Sequence, residues 1–416
     1  MSSIAPGSFQ RAVGSQINND NNALAVRVVV LAMAGAILFA RMPHSFLRPQ
    51  LWGEDAIVFL DNYTRGARAI FDPLGGYLFV LSRLVAFIAG IFPVWMTPWI
   101  YNYAALAAVL ALVVLVMSPR FDLPYKPLLA MAIVVSTSGV EVLLTLVNVQ
   151  WVAPIGVMVL LLMREADNRA VRSLENGFVA ITALTGPFSI FIFPISLCLY
   201  LIERRRRLLE FSIVLALGAA IQATFIGSNL NVFNLIEPKP YHWSLWITAP
   251  THWFLETFKP LNKPFLQPLS AILVVVVVWP ITAWIVWQQP RRWQKAALLA
   301  FALAVIYSGM FKYRNNVAIY NPRYAFAGSI FSVWLICCAA DRLQPTLRKA
   351  IIALVLFAEV YSFVRVIKVE RSTVDRHWPE WAAKIERGEP VLVPTDPNWT
   401  IKINQPDSGV IGLPVT

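Results

Sequence analysis

The sequence predicts an all-α polytopic membrane protein, and three observations support this fold class. Of the 416 residues, 58% are hydrophobic and 14% are charged, whereas soluble domains carry roughly 25% charged residues. Apolar runs close to the length of a membrane-spanning helix recur along the whole chain. Loops rich in arginine separate several of these runs. The composition therefore excludes an ordinary soluble enzyme and a disordered chain.

The first apolar run, 23–40, ends at Arg41 without a small-residue cleavage pattern, so we expect it to remain as a membrane anchor. One later run is flanked by arginines on both sides and is interrupted at Gly186-Pro187, which favours two short helices that go out and return. The further runs are 100–117, 127–143, 152–163, 177–202, 209–227, 268–287, 295–311, 324–340 and 348–366.

The apolar stretch 76–92 carries Arg83 near its centre. An arginine facing lipid at mid-membrane costs about 2.5–3.5 kcal/mol on insertion scales. We therefore expect an embedded or interfacial helix, although a crossing stays open at this point. The bundle then has about 11 transmembrane helices and a long first extracytoplasmic loop, 42–99.

Basic residues orient this bundle. About half of the 35 Lys and Arg fall in the short loops of one side, as the positive-inside rule expects for the cytoplasm. The amino terminus is thus predicted to be cytoplasmic, with a transmembrane domain over 1–366 and a short extracytoplasmic tail over 367–416. The net charge of +12 is explained by this topology, so no nucleic-acid partner is expected.

Two adjacent carboxylates follow the first predicted span. Glu54 and Asp55 stand in the sequence Trp-Gly-Glu-Asp-Ala, and Asp61 lies two helical turns further on. A carboxylate held at a membrane surface suits a general base. Ion pairs with the nearby loop arginines would explain the same residues without any catalysis.

The acidic motif, its place in a long external loop, and the following Gly76-Tyr77-Leu78 and Arg83-Leu84 resemble membrane glycosyltransferases of the GT-C class. The resemblance is closest to the bacterial proteins that modify surface polysaccharides, such as the O-antigen glucosyltransferases. It implies a polyprenyl-phosphate sugar as the donor, a glycan or lipid-linked acceptor, and an active site outside the bacterial inner membrane.

Other segments extend this resemblance. Glu141 and the run Asn148-Val149-Gln150-Trp151 are similar to a polar and aromatic turn beside the GT-C active site, although a helix cap explains them equally well. Arg323 and Tyr324 begin a predicted outer-face span, where an arginine suits phosphate oxygens or lipid headgroups. His242 lies in an aromatic loop without zinc-ligand spacing.

The resemblance implies an inverting transfer of one sugar. Asp55 would be the catalytic base, Glu54 would orient it or bind the acceptor, and Arg323 would stabilise the leaving phosphate. Further substrate-binding candidates are Tyr324, Arg83, Asp61, Asn148, Gln150, Trp151 and His242. A divalent cation near the acids is left open, and the alternatives are a flippase or transporter of a lipid-linked sugar, or a polysaccharide polymerase.

Overall fold

The computed structural model describes residues 6–229, 274–313, 322–367, 374–395, 399–406 and 408–411, and within them the chain is mostly helical. The first helices are α1 (Pro6–Arg41), α2 (Pro43–Leu47), α3 (Glu54–Arg65), α4 (Val80–Ala89), α5 (Thr97–Met117), α6 (Lys126–Val135), α7 (Val149–Leu162), α8 (Arg169–Ala183), α9 (Ser189–Glu203) and α10 (Arg206–Ser228). They are followed by α11 (Trp279–Trp287), α12 (Arg292–Tyr313), α13 (Pro322–Ala340), α14 (Pro345–Val366) and α15 (Trp378–Glu386).

Four segments within the described residues are long and apolar enough to cross a membrane. They are Ala23–Arg41, Val94–Met117, Arg206–Ser228 and Arg323–Ala340, and each coincides with a predicted span. Five other apolar helices are shorter, with 10–17 residues. The protein is therefore mostly helical with several helices suited to a membrane, while the number of eleven crossings stays a prediction.

Helix α4 occupies the stretch around Arg83. Its ten residues rise about 15 Å, half of the hydrocarbon core of roughly 30 Å. The side chain of Arg83 is 1% exposed and pairs with Asp61 on α3 at 2.8 Å. The expectation that this stretch forms a short embedded helix agrees with its length.

The predicted run 127–143 is not one helix, which corrects the sequence analysis. Helix α6 ends at Val135, a 3-10 turn follows at Thr137–Gly139, and irregular backbone continues to α7. The hydroxyl groups of Ser136, Thr137 and Ser138 favour such a break because they compete for backbone hydrogen bonds. These three residues are buried, so the irregular backbone lies inside protein rather than in lipid.

A second break, between α8 and α9, was predicted at Gly186-Pro187 and is confirmed. Gly186 has a φ of +78°, in the left-handed region that favours glycine. Its backbone N–H donates to the carbonyl of Leu78 at 2.8 Å. The amide of Gln222 on α10 pairs with both the N–H and the carbonyl of Leu78. This break therefore holds the segment that leads into α4.

Loops predicted to lie on the same side of the membrane contact each other. At one end of the bundle, Glu175 accepts from Arg120 at 2.6 Å and pairs with Arg207 at 2.9 Å. Gln294 donates to Glu203 at the same end. The opposite end brings together α3, the irregular backbone before α7, the second helix break and the start of α13. This grouping follows the predicted partition of the loops.

The tail after α14 contains a sheet that the all-α prediction missed. Strands β1 (Val391–Thr395), β2 (Trp399–Ile403) and β3 (Gly409–Ile411) form an antiparallel sheet in that order. Alternate residues of β1 and β2 are buried, the period of two expected for a half-buried strand. Helix α15 and this sheet share one apolar core with α3, α4 and α5, and Trp378 meets Phe59 edge to face at 5.3 Å.

Candidate active site

Helix α3 sets the positions of the two adjacent acids. It begins at Glu54 after Gly53, whose φ of +45° allows the chain to turn into the helix. Both carboxylates lie in the first turn, where the positive end of the helix dipole stabilises negative charge. Asp55 is buried, at 1% exposure, whereas the side chain of Glu54 is 32% exposed. The two neighbours therefore have different surroundings.

Asp55 connects α3 to the irregular backbone before α7. Its carboxylate accepts the backbone N–H of Val147 at 2.7 Å and that of Leu146 at 3.3 Å. Ser82 on α4 donates to the carbonyl of Leu146 at 3.0 Å. These bonds fix the end of the irregular segment against both helices of the first loop.

Glu54 belongs to an open charged cluster, which we call the outer cluster and define as Glu54, Glu141 and Arg323. Nη1 of Arg323 lies 3.5 Å from Oε1 of Glu54, and Nε of Arg323 lies 4.0 Å from Oε2 of Glu141. The three side chains are 21–38% exposed. Arg323 lies in the first turn of α13, where the positive end of the helix dipole and the guanidinium group both make the local electrostatic potential more positive. The cluster thus joins three segments that are far apart in the sequence.

Aromatic rings pack beside the outer cluster. The ring of Trp151 meets Tyr324 at 4.9 Å and Phe188 at 5.0 Å, both edge to face. Trp151 is 7% exposed and Tyr324 is 8% exposed. The contacts connect the start of α7 with the start of α13 and with the second helix break.

Amide groups lie next to these rings. Asn148 donates through Nδ2 to the carbonyl of Glu141 at 2.8 Å. Gln150 is 3% exposed, and its Oε1 lies 2.7 Å from where a Cβ would stand on Gly186. Within the described residues, Oδ1 of Asn148, Oε1 of Gln150 and Nε1 of Trp151 are buried without a hydrogen-bond partner. Such groups are costly unless a water or a ligand satisfies them.

Two predicted site residues face inward and pair with each other. Asp61 accepts from Arg65 at 2.7 Å and pairs with Arg83 at 2.8 Å. Because Arg83 is buried, this pair stabilises the packing of α3 on α4. His242 lies outside the described residues. Among the described residues, no three His, Cys, Asp or Glu side chains are grouped closely enough to hold a metal ion.

Two positioning residues were not identified from the sequence. Gln222 holds Leu78, and Ser82 holds the backbone at Leu146. Gln222 is a polar residue inside the apolar run 209–227, and this difference from its neighbours could have indicated a structural role. Ser82 gave no such signal because serine is common in apolar helices.

Compared with protein-family models and with curated protein sequences, the chain matches none of them.

Proposed function

We propose that the chain is a membrane glycosyltransferase. It moves a sugar from a polyprenyl-phosphate donor to a hydroxyl of a glycan or lipid-linked acceptor on the extracytoplasmic face of a bacterial inner membrane. The observation that supports this proposal is the outer cluster, in which the accessible acid Glu54 lies 3.5 Å from Arg323 at one end of an apolar helical bundle.

The reaction needs a base and a cation at one site but on opposite faces of the anomeric carbon, so the transferred sugar must enter between Glu54 and Arg323. A carboxylate takes the proton of the acceptor hydroxyl, whose oxygen then bonds to the anomeric carbon. The bond from that carbon to the phosphate oxygen breaks, and polyprenyl phosphate leaves with the electron pair. A guanidinium beside the leaving oxygen stabilises its charge and can contact two phosphate oxygens at once. Displacement in one step inverts the anomeric centre.

The geometry supports Glu54 as the base and Asp55 as a positioning residue. Each carboxylate oxygen of Asp55 already accepts a backbone N–H, and the residue is 1% exposed. Glu54 is open to an incoming hydroxyl and lies beside the cation that would hold the phosphate. The sequence motif alone favoured Asp55 as the base. The two assignments therefore predict different effects of substituting Glu54 and Asp55.

The aromatic and amide groups beside the cluster suit a sugar. Ring faces and edges pack on pyranose carbons, while buried amide groups without partners can bond sugar hydroxyls. Trp151, Asn148 and Gln150 supply both kinds of group next to Glu141. We therefore assign them to the transferred sugar.

The test uses purified full-length protein in lipid nanodiscs with a panel of polyprenyl-phosphate hexoses. Release of polyprenyl phosphate and transfer to added glycan acceptors are measured. Glu54→Gln and Arg323→Met should each lower turnover by about 10²-fold or more, because each removes a group that acts in the transition state. Asp55→Asn should also weaken transfer, together with a lower thermal-unfolding midpoint.

The matched control is Glu165→Gln, since Glu165 is another exposed acid paired with an arginine, at the opposite end of the bundle. It should leave turnover unchanged. Full activity of Glu54→Gln with complete loss in a stably folded Asp55→Asn would reverse the two roles. No consumption of any lipid-linked sugar, together with movement of that sugar across the bilayer in wild type and Glu54→Gln alike, would favour a flippase.

A further inference from the structure

A small cavity with both apolar and polar lining residues lies within the helical bundle, and none of the outer-cluster residues lines it. Its volume is about 20 Å³, and it is bordered by α6, the turn after α6, α13 and α14. Its polar lining consists of Glu359 and four residues with hydroxyl groups, namely Ser136, Thr137, Ser329 and Ser362. A space of this size holds one water molecule or one small ion.

Glu359 is the charged group of this cavity. It lies on α14 and is 6% exposed. Its Oε1 has no hydrogen-bond partner, and no basic side chain within the described residues forms an ion pair with it. A carboxyl group in such a place is costly unless it is neutralised by a proton or by a cation.

Hydroxyl groups line the same cavity as Glu359. Ser329 donates to the carbonyl of Phe326 at 2.9 Å, and the Oγ atoms of Ser136 and Ser329 lie 3.0 Å apart, at hydrogen-bond distance. A hydroxyl oxygen that donates a hydrogen bond can also serve as an oxygen ligand of a cation.

The carboxyl end of α6 also borders the cavity. The helix stops at Val135, which lines the cavity, and the last carbonyls of a helix carry the negative end of its dipole. One of these carbonyls, that of Val134, already accepts from Arg41 at 2.9 Å, and Arg41 does not line the cavity. Broken helices whose carboxyl ends face a carboxylate are typical cation sites in membrane proteins.

We propose that this cavity binds one small monovalent cation, for which Na⁺ is the probe. Carboxylate and hydroxyl oxygens are the ligands that hard cations prefer. One positive charge neutralises Glu359, whereas a divalent ion would leave an uncompensated charge in an apolar interior. The bound ion would tie the break after α6 to α13, which carries Arg323. This inference goes beyond the proposed function and does not depend on it.

The first test uses the wild-type full chain in detergent with dicyclohexylcarbodiimide, which modifies buried protonated carboxyl groups. Reactions are run in NaCl, KCl or choline chloride at equal ionic strength, and mass spectrometry follows the peptide that contains Glu359. Na⁺ at about ten times its Kd should slow the modification roughly tenfold relative to choline, because only the empty site reacts. Equal modification in NaCl and choline, or none in either, overturns the proposal, since the carboxyl would then not exchange a proton for Na⁺.

The second test compares the shift of the thermal-unfolding midpoint on adding NaCl in place of choline chloride. Wild type should show a rise that Glu359→Gln abolishes and Ser329→Ala reduces. Ser332→Ala is the matched control, since Ser332 lies one turn further along α13, donates to the carbonyl of Gly328 and does not line the cavity. It should keep the full rise. A rise that persists in Glu359→Gln would place the Na⁺ effect elsewhere and overturn the assignment.

Discussion

At the scale of single residues, helical geometry gives adjacent acids different environments. Consecutive residues of α3 point about 100° apart, so Asp55 turns into the protein while Glu54 stays at an opening. The neighbouring acid Asp61 is different again, because it compensates the buried Arg83. Carboxylates of one short helix therefore bond to backbone N–H groups, lie at an opening of the protein, or neutralise a buried cation.

This difference in burial predicts unequal costs for removing two similar carboxylates. Asp61→Asn leaves Arg83 buried without its partner and should lower the free energy of unfolding by about 3–5 kcal/mol. Asp72→Asn is the matched control, since Asp72 pairs with Arg65, whose side chain is 46% exposed, and should cost less than about 1 kcal/mol. Denaturation in detergent micelles measures both. Equal losses would show that Arg83 gains its compensation from another group.

At the scale of elements, two interruptions of apolar helices form the surroundings of the outer cluster. One follows α6 and the other separates α8 from α9. The second was predictable because Gly-Pro is incompatible with a continuous helix. The first was not, because hydroxyl residues are tolerated inside apolar helices and only their neighbours in space decide whether the backbone breaks. Hydropathy therefore located the run but not the interruption within it.

The second interruption predicts opposite effects for two Gly→Ala substitutions. Gly186→Ala places a Cβ 2.7 Å from Oε1 of Gln150 on a backbone with positive φ, so the protein should be destabilised and transfer should fall. Gly177→Ala, inside α8 with open space around it, should raise the free energy of unfolding by about 0.5–1 kcal/mol. Thermal unfolding and turnover of both variants are the measurements. Unchanged behaviour of Gly186→Ala would mean that this turn does not hold Gln150.

At the scale of the whole molecule, charge and hydropathy predicted the helical class, the grouping of loops at two ends and about eleven spans, four of which correspond to long apolar helices in the described residues. They also placed Glu54 and Arg323 on one side, although their 3.5 Å contact depends on packing that no local pattern encodes. The sheet of the tail was missed because its strands are short and the tail is polar overall. Such short strands can be assigned only when the apolar core that they cover is known, and that core here includes residues of α3.

Docking of the tail predicts that a remote tryptophan supports the site. Trp378 is 4% exposed, packs on Phe59 of α3 and donates to the carbonyl of Val94 at 3.1 Å. Trp378→Ala should lower the stability of this unit by about 3–5 kcal/mol and expose the tail to protease. Trp381→Ala, on the same helix but only partly buried, should cost less. A Trp378→Ala protein that resists protease as wild type does would contradict this docking.

The contact between Phe59 and Trp378 also has a consequence for the order in which the protein is made. Helix α3 is synthesised within the first 65 residues, but the tail residues that pack against it lie among the last forty or so of the chain. During most of synthesis α3 is therefore present without the residues that pack against it. The end of the bundle that carries the outer cluster is therefore completed late, and a premature stop shortly after α14 would yield a helical bundle in which α3 lacks the packing of the tail.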